Sequence, residues 1–287
     1  MTDRPRRSAL YMPASNAKAI EKARSLPCDV VILDLEDAVA PDAKETAREQ
    51  AVQAVKDGGF GRRELVIRVN GADTPWGEAD LRAAAAARPD AILVPKVNSA
   101  ADVAVYSAPL HEDTDLWAMI ETGRSLFALE SIAAAAATTQ LTTFVMGTND
   151  LAKETRARIT PGREPFFAAL SLAVAAARIH GLTILDGVHN DIEDQNSLEA
   201  VCRQGVDFGF DGKTLIHPKQ IDICNLVFSP APAEVEFARA VIAAFALPEN
   251  QGKGAIRVEG KMAELLHLEQ SKRLVAVAEA IREAEAA

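Results

Sequence analysis

Residues 29–37 run Asp29-Val30-Val31-Ile32-Leu33-Asp34-Leu35-Glu36-Asp37, an apolar stretch that ends in acids. Near-continuous apolarity suits a parallel strand covered on both faces, whereas a half-exposed strand alternates. Seven other short runs share that character: residues 8–12, 65–69, 91–94, 116–120, 143–146, 183–186 and 208–210. Helical patterns separate them, among them residues 16–26, 43–56, 124–138 and 166–180. Strict alternation of strand and helix marks an α/β chain, and eight repeats favour a closed (β/α)8 TIM barrel over an open sheet.

The barrel is expected to occupy residues 1–247. Residues 248–287 exceed what a minimal barrel needs. Pro248-Glu249-Asn250-Gln251-Gly252-Lys253-Gly254 reads as a loop, and residues 261–287 read as one or two helices. This C-terminal extension is expected to serve as a lid or an oligomerisation brace, over its own site or a neighbour's.

Bulk composition narrows the function classes. The 287 residues carry 31 basic and 41 acidic side chains, a formal charge of −10, and show no basic tract for neutralising phosphates. A nucleic-acid partner therefore has no electrostatic support. Nowhere do about 18 apolar residues run uninterrupted, so no membrane span is expected. The basic N-terminus lacks the apolar core of a signal peptide. Cys28, Cys202 and Cys224 are widely spaced, fit neither a zinc site nor a disulfide framework, and read as reduced core thiols of a cytoplasmic protein.

Barrel enzymes keep their chemistry at the C-terminal ends of the strands, where the loops converge. Here successive runs end in Asp34-Leu35-Glu36-Asp37, Arg68-Val69-Asn70, Pro95-Lys96, Glu121-Thr122-Gly123, Gly147-Thr148-Asn149-Asp150, Asp186-Gly187-Val188-His189 and Asp211-Gly212-Lys213. If Glu36, Asp37, Glu121 and Asp150 converge, each like-charged pair ~4 Å apart costs roughly 4 kcal/mol at an effective dielectric of ~20. No His/Cys cluster suggests zinc, so an oxygen-coordinated Mg²⁺ or Mn²⁺ is the natural partner, held by Glu121 and Asp150. The alternatives are an N-cap role for Asp150 and an ion pair of Glu121 with Arg68 or Lys96.

Arg68 can clamp a substrate carboxylate through its planar fork, neutralise Glu36 or Glu121, or do both. Backbone N–H groups of Gly147, Thr148, Asn149 and Asp150, at a strand-to-helix turn, can share the same anion. Lys96 and Lys213 either touch a phosphate or cofactor tail or balance acids. Gly209, Gly212 and Lys213 fall where barrels often bind phosphate. His189 and His217 read as structural, and Asp186 stays open.

Taken in order, several of these segments resemble the citrate lyase beta-subunit/malyl-CoA lyase group of the HpcH/HpaI aldolase superfamily. They are Arg7-Ser8-x-Leu10-Tyr11-x-Pro13, Asp34-Leu35-Glu36-Asp37-Ala38-Val39, Arg68-Val69-Asn70, Pro95-Lys96, Ile120-Glu121-Thr122, Gly147-x-x-Asp150-Leu151 and Gly209-Phe210-Asp211-Gly212-Lys213-x-x-x-His217-Pro218. The resemblance implies a Mg²⁺-dependent carbon–carbon lyase that cleaves a citryl-, malyl- or citramalyl-CoA type thioester to a 2-oxo acid and an acyl thioester. It places Mg²⁺ on Glu121 and Asp150, the oxo-acid carboxylate on Arg68, and Glu36 and Asp37 beside the metal and its waters. It also implies a homotrimer or hexamer. The family's lid often carries Gly-x-Met-Ile-Asp, its Asp serving as acid/base in a neighbouring subunit. This chain has Gly260-Lys261-Met262-Ala263-Glu264, so Glu264 would bring a carboxylate on a longer arm. Other readings are malate-synthase-like condensation or thioester hydrolysis on the same barrel, a subunit acting only with an acyl-carrier protein, or a non-catalytic ligand-binding barrel.

Overall fold

The computed structural model describes residues 4–286. They form two compact units, one of residues 6–228 and one of residues 229–286 with residues 4–5. In the first, eight strands close into a barrel in sequence order: β1 (Ser8–Pro13), β2 (Val30–Asp34), β3 (Glu64–Arg68), β4 (Ala91–Val94), β5 (Asp115–Ile120), β6 (Leu141–Met146), β7 (Thr183–Asp186) and β8 (Gly212–Leu215). Every neighbouring pair is parallel, and β8 returns to β1.

Because side chains alternate along a strand, each strand divides its residues between lumen and helix layer. Ala9, Val30, Ile32, Val66, Ala91, Leu93, Trp117, Met119, Val145 and Leu185 pack together with no helical residue among them, and so fill the lumen. The intervening residues, such as Leu10, Val31, Leu33, Ile67 and Ile92, join a larger cluster with Ala47, Ala51, Ala133, Leu170, Ala173 and Cys202 from the helices. Buried aliphatic side chains of this size contribute about 1.5–3 kcal/mol each, and the buried alanines let the helices approach the strands closely. At the N-terminal end of the lumen, Arg6 reaches Glu64 at 2.6 and 2.7 Å, Thr143 at 3.2 Å and Thr183 at 3.1 Å, and stacks on Trp117. Chemistry is thereby left to the other end.

The eighth strand lies later than residues 208–210. Phe208 ends the helix Gln195–Phe208, and Gly209, at φ +94°, caps it in the left-handed conformation, a usual way for a helix to stop. The strand begins at Gly212, where any Cβ would strike the Arg6 carbonyl. Residues 124–138, expected as one helix, break into Gly123–Phe127, Leu129–Ala134 and a 3-10 turn at Ala135–Ala137.

In the second unit, helix Pro232–Ala246 packs along helix Leu265–Glu285. Between them in sequence lies an antiparallel hairpin, β9 (Ala255–Val258) and β10 (Lys261–Glu264). Val241, Ile256, Val258 and Ala263 form its core. The division at Phe228/Ser229 precedes the one expected after residue 247, because helix Pro232–Ala246 buries its apolar face on the hairpin and the last helix. Residues 261–264, expected as helix, are strand. Among the described residues no helix is long and apolar enough to cross a membrane.

Candidate active site

The last residues of β2 and β3, Asp34 and Arg68, are register partners on the lumen side. The Arg68 fork closes on Asp34, with Nε 2.7 Å from Oδ1 and Nη2 2.6 Å from Oδ2. Asp34 also accepts the backbone N–H of Glu36 at 2.9 Å and of Ala38 at 3.0 Å, which shapes the loop after β2. Nη1 of Arg68 donates to Met119 Sδ at 3.8 Å and lies 2.9 Å from Glu36 Oε2 and 3.6 Å from Asp37 Oδ2. The sequence reading let Arg68 clamp a substrate carboxylate, neutralise Glu36 or Glu121, or do both; strand register commits Nε and Nη2 to Asp34, an acid that reading did not pair with it, and sets Nη1 beside Glu36.

Glu36 is 7% exposed and meets Lys96 Nζ at 3.0 Å. Its Oε2 is close to Arg68 but not aligned for a hydrogen bond, so a lone pair stays unused. Burial, reinforced by Asp37 and opposed by Arg68 and Lys96, leaves the Glu36 carboxyl above its ordinary range. Behind this loop, Lys44 Nζ donates to the carbonyls of Leu35 and Glu36 at 2.8 and 2.6 Å and to Asn70 Oδ1 at 2.7 Å. Asn70 in turn donates to Leu35 O and Asp80, so the loop that carries Glu36 is pinned from below.

Glu121 follows β5 and is 1% exposed. Its Oε1 accepts the Lys96 backbone N–H at 2.7 Å. Lys96 sits at φ +52°, left-handed backbone that costs a non-glycine residue about 1–3 kcal/mol. Gly147 faces Glu121: a Cβ there would collide with the Glu121 side chain. Asp150 is half-buried in the first turn of helix Thr148–Thr155, and its charge reaches both Glu121 and Lys96. Burial, then the charges of Glu36 and Asp150, push the Glu121 carboxyl up to about 8.

Charge matching at this mouth is uneven. Asp34 is answered by Arg68, and Glu36 by Lys96 and Arg68 Nη1. Glu121 and Asp150 have no ammonium or guanidinium in ion-pair contact among the described residues. Two all-oxygen donors with two uncompensated charges, one deeply buried, fit a hard divalent cation. A second group, His111, Glu112 and Asp113, has ligand atoms within 4.8 Å of one another, but its acids are exposed and it precedes β5, at the opposite end of the barrel.

The structure thus brings together Glu36, Asp37, Arg68, Lys96, Glu121, Gly147 and Asp150. Other expectations change. The Gly147 N–H donates to Ile120 O at 3.1 Å and is unavailable to an anion. Thr148 is buried, and Asn149 exchanges amide bonds with Asn190 at 3.2 and 2.9 Å. Lys213 is not at a strand end but at an outward position within β8, 0% exposed, 3.0 Å from Asp186 Oδ2 and bonded to Gly187 O. Arg163 Nη1 holds the other side of Asp186 at 2.7 and 2.8 Å. Burial alone would raise the Asp186 carboxyl, but Lys213 and Arg163 hold it below its usual range. Lys213 thus balances an acid, while Gly209 caps a helix and Gly212 passes the Arg6 carbonyl. His189 bonds Ser197, and His217 caps a turn.

Glu264 belongs to the second unit, half-buried at the end of β10, its N–H donating to His267 Nδ1 at 2.9 Å. Sequence reasoning gave no role to Asp34, Lys44 or Tyr11. The signal for Asp34 was parity: it follows the lumen residues Val30 and Ile32 by the same step that puts Arg68 after Val66.

The family model for HpcH/HpaI aldolase/citrate lyase matches residues 7–218. A (3S)-malyl-CoA thioesterase of Cereibacter sphaeroides is 51% identical over 277 residues, 96% of each chain. The L-malyl-CoA/beta-methylmalyl-CoA lyase of the same species is 32% identical over 307 residues, covering 97% of this chain and 96% of that one. The protein CitE from Mycobacterium tuberculosis, solved in complex with magnesium, acetoacetate and coenzyme A, superposes with a TM-score of 0.77 at 30% identity, over 95% of this chain and 97% of that one. Its closed parallel barrel, the acids at the strand ends and these likenesses agree: the chain belongs to the HpcH/HpaI aldolase/citrate lyase family, enzymes of the citrate lyase beta-subunit/malyl-CoA lyase type.

Proposed function

We propose that the mouth of the barrel binds one Mg²⁺ through Glu121 and Asp150 and hydrolyses a malyl-CoA-type thioester to the free hydroxy acid and CoA. The observation that carries the site is the pair of acids without a cation, one of them buried and lifted to about 8. The choice of hydrolysis is supported by the thioesterase relative at 51% identity. Glu264 supports it too: hydrolysis makes no carbon-centred anion, so it does not require the lid aspartate that this chain replaces.

Bound at Glu121 and Asp150, Mg²⁺ supplies Lewis acidity and neutralises charge on substrate oxygens. Arg68 Nη1 points the substrate carboxylate toward the lumen, helped by the N–H groups of Thr148 and Asn149 at the start of their helix. Glu36 is the general base. Its free Oε2 lone pair takes a proton from water, while Lys96 and Arg68 hold the carboxylate in place. Water oxygen bonds to the thioester carbon, the C–S bond breaks, and the proton leaves with the thiol. Asp37, exposed at the rim, keeps the water ordered. The substrate is taken as a free CoA ester rather than a carrier-bound one, since the thioesterase and the lyase relatives are both named for CoA esters. Assembly as a homotrimer or hexamer is the form expected from the resemblance.

A second reading uses the same base differently. If Glu36 takes the proton of the substrate's 3-hydroxyl instead of water's, the carbon–carbon bond breaks, giving a 2-oxo acid and an acyl-CoA enolate; by the family resemblance, the proton for that enolate would come from Glu264 of a neighbouring subunit. The relative named as a lyase favours it. One assay separates the two. With malyl-CoA and Mg²⁺ or Mn²⁺, hydrolysis releases free thiol and no glyoxylate; cleavage releases glyoxylate and no thiol. Neither product with either metal would refute both readings.

A further inference from the structure

Beneath the mouth lies a cation that the proposed reaction does not use. Lys44 opens the helix Lys44–Asp57 and is 5% exposed. Its Nζ has three acceptors, all neutral: Leu35 O at 2.8 Å, Glu36 O at 2.6 Å and Asn70 Oδ1 at 2.7 Å. The ring of Trp76 lies against it, 5.3 Å from nitrogen to ring centre. Among the described residues no carboxylate is in ion-pair contact with Lys44, although Asp34, Glu36, Asp80 and Asp37 all act on its charge from farther away.

Stability alone gives no reason for a lysine here. An ammonium buried without a contacting anion is costly, and the first turn of a helix, where the macrodipole is positive, favours acids over bases. Methionine would fill the same space beside Trp76 without either cost. What the ammonium gains is a grip on one residue. Leu35 O and Glu36 O belong to the two planar peptide units that flank the Glu36 Cα, so holding both fixes the backbone torsions from which the Glu36 side chain springs. The other side of the same loop is held by Asp34, which accepts the N–H groups of Glu36 and Ala38. Asn70 ties the grip to the barrel: it receives Lys44 and donates to Leu35 O at 2.8 Å and to Asp80 Oδ2 at 2.6 Å. At its far end the Glu36 carboxylate meets Lys96 Nζ at 3.0 Å and Arg68 Nη1 at 2.9 Å, and the Lys96 side chain is 46% exposed. One of those two partners therefore stands half in solvent, whereas the hold from below is buried throughout.

We propose that Lys44 is a positioning residue for the general base: by clamping the two carbonyls around Glu36 it aims the Glu36 carboxylate at the proton to be taken, without touching substrate. The inference rests on the proposed function's choice of Glu36 as base, and it holds whether that proton comes from water or from the 3-hydroxyl. A misplacement of about 1 Å in such a group costs on the order of 100-fold in rate. Substrate and Mg²⁺ are held by other side chains and should feel little of it.

The experiment measures kcat, KM and Mg²⁺ affinity for wild type, Lys44→Met, Glu36→Gln and the double variant, following both thiol and glyoxylate release from malyl-CoA. Lys44→Met is expected to lower kcat about 10–100-fold, with KM and Mg²⁺ affinity within about twofold of wild type. Because Lys44 acts through Glu36, adding Lys44→Met to Glu36→Gln should change kcat by less than about twofold. A wild-type kcat for Lys44→Met, with Glu36→Gln slow, overturns the inference and leaves the base in place. A double variant slower than Glu36→Gln by the full factor seen for Lys44→Met also overturns it, since Lys44 would then act elsewhere. So does a loss of Mg²⁺ affinity or a rise in KM parallel to the fall in kcat, the mark of a loosened mouth. Should Lys44→Met not fold, Lys44→Gln, which keeps N–H donors on an arm one atom shorter, is held to the same criteria. Glu36→Gln with a wild-type kcat, or a wild type that releases neither product, refutes the proposed function and removes the inference with it.

Discussion

Glu121→Gln should make the metal-free protein more stable while abolishing its response to Mg²⁺. The Glu121 carboxyl is 1% exposed, lies among Glu36 and Asp150, and is pushed from 4.5 up to about 8 by burial and then by those charges. Below pH 4.5 the group is protonated in folded and unfolded chains alike and contributes nothing. As pH rises from there the unfolded chain releases its proton and the folded one does not, so stability falls until the folded group ionises near 8. A full shift of that size is about 4–5 kcal/mol at 1.36 kcal/mol per unit, of which about 3 kcal/mol is reached at pH 7. Relaxation and water entry reduce this, and about 2 kcal/mol is a fair expectation. The amide keeps an oxygen for the Lys96 N–H, so no hydrogen bond need be lost. For a chain of this length 2 kcal/mol corresponds to a melting temperature higher by roughly 4–8 °C. Scanning calorimetry in a chelator, at pH 5, 7 and 8.5, measures it. The gap between variant and wild type should widen with pH, and Mg²⁺ should raise the melting temperature of wild type only. A variant no more stable than wild type in chelator, or one that Mg²⁺ still stabilises, would refute both the charge accounting and the metal assignment.

Gly147→Ala should disable the same centre by steric means. The new methyl meets the Glu121 side chain, so Mg²⁺ affinity should fall at least tenfold, with a stability loss of about 1–3 kcal/mol from overpacking, read by metal titration and urea unfolding. Lys213→Met tests a group removed from the chemistry. It leaves the fully buried Asp186 with Arg163 alone, which should cost about 3–5 kcal/mol in denaturant unfolding, while KM in the folded fraction stays within about twofold. Cys28, Cys202 and Cys224 are all buried, and burial raises the Cys28 thiol to about 11. None should react with an aromatic disulfide reagent before unfolding, and all three should afterwards. A native chain with a fast-reacting thiol would contradict the packing, and would also confuse the thiol readout of CoA release.

Seven of the eight strands could be read from sequence because a strand covered on both faces must be apolar along its length. The eighth could not. Phe208-Gly209-Phe210 has the right hydrophobicity but carries a helix-ending glycine, whereas the true strand holds Lys213. A lysine inside a buried strand is tolerable only with a partner, and Asp186, 27 residues earlier, becomes one only after folding. The acids at the strand ends were readable for a similar reason, since charge at the end of an apolar run must face something. How those charges pair was not. Arg68 meets Asp34 through strand register, and Lys44, the first residue of a helix, meets Asn70 in the loop after β3; neither pairing leaves a mark in local sequence.

The alternation of lumen and helix-layer residues also sets a rule for altering substrate choice. The β1, β2, β3 and β5 side of the mouth presents Tyr11, Asp34, Glu36, Arg68 and Glu121, and changing these alters the chemistry itself. On β6, β7 and β8 the corresponding lumen positions are Gly147, Gly187 and Ile216, small or apolar. Gly147 is closed to variation by Glu121, and Gly187 is closely approached by Thr148. Ile216 is 38% exposed, which makes it the first codon to randomise in a search for variants that accept a longer or branched acyl group. Its neighbours Leu215 and Lys213 point into the helix layer, and mutating them would select for damaged folding rather than for a new pocket.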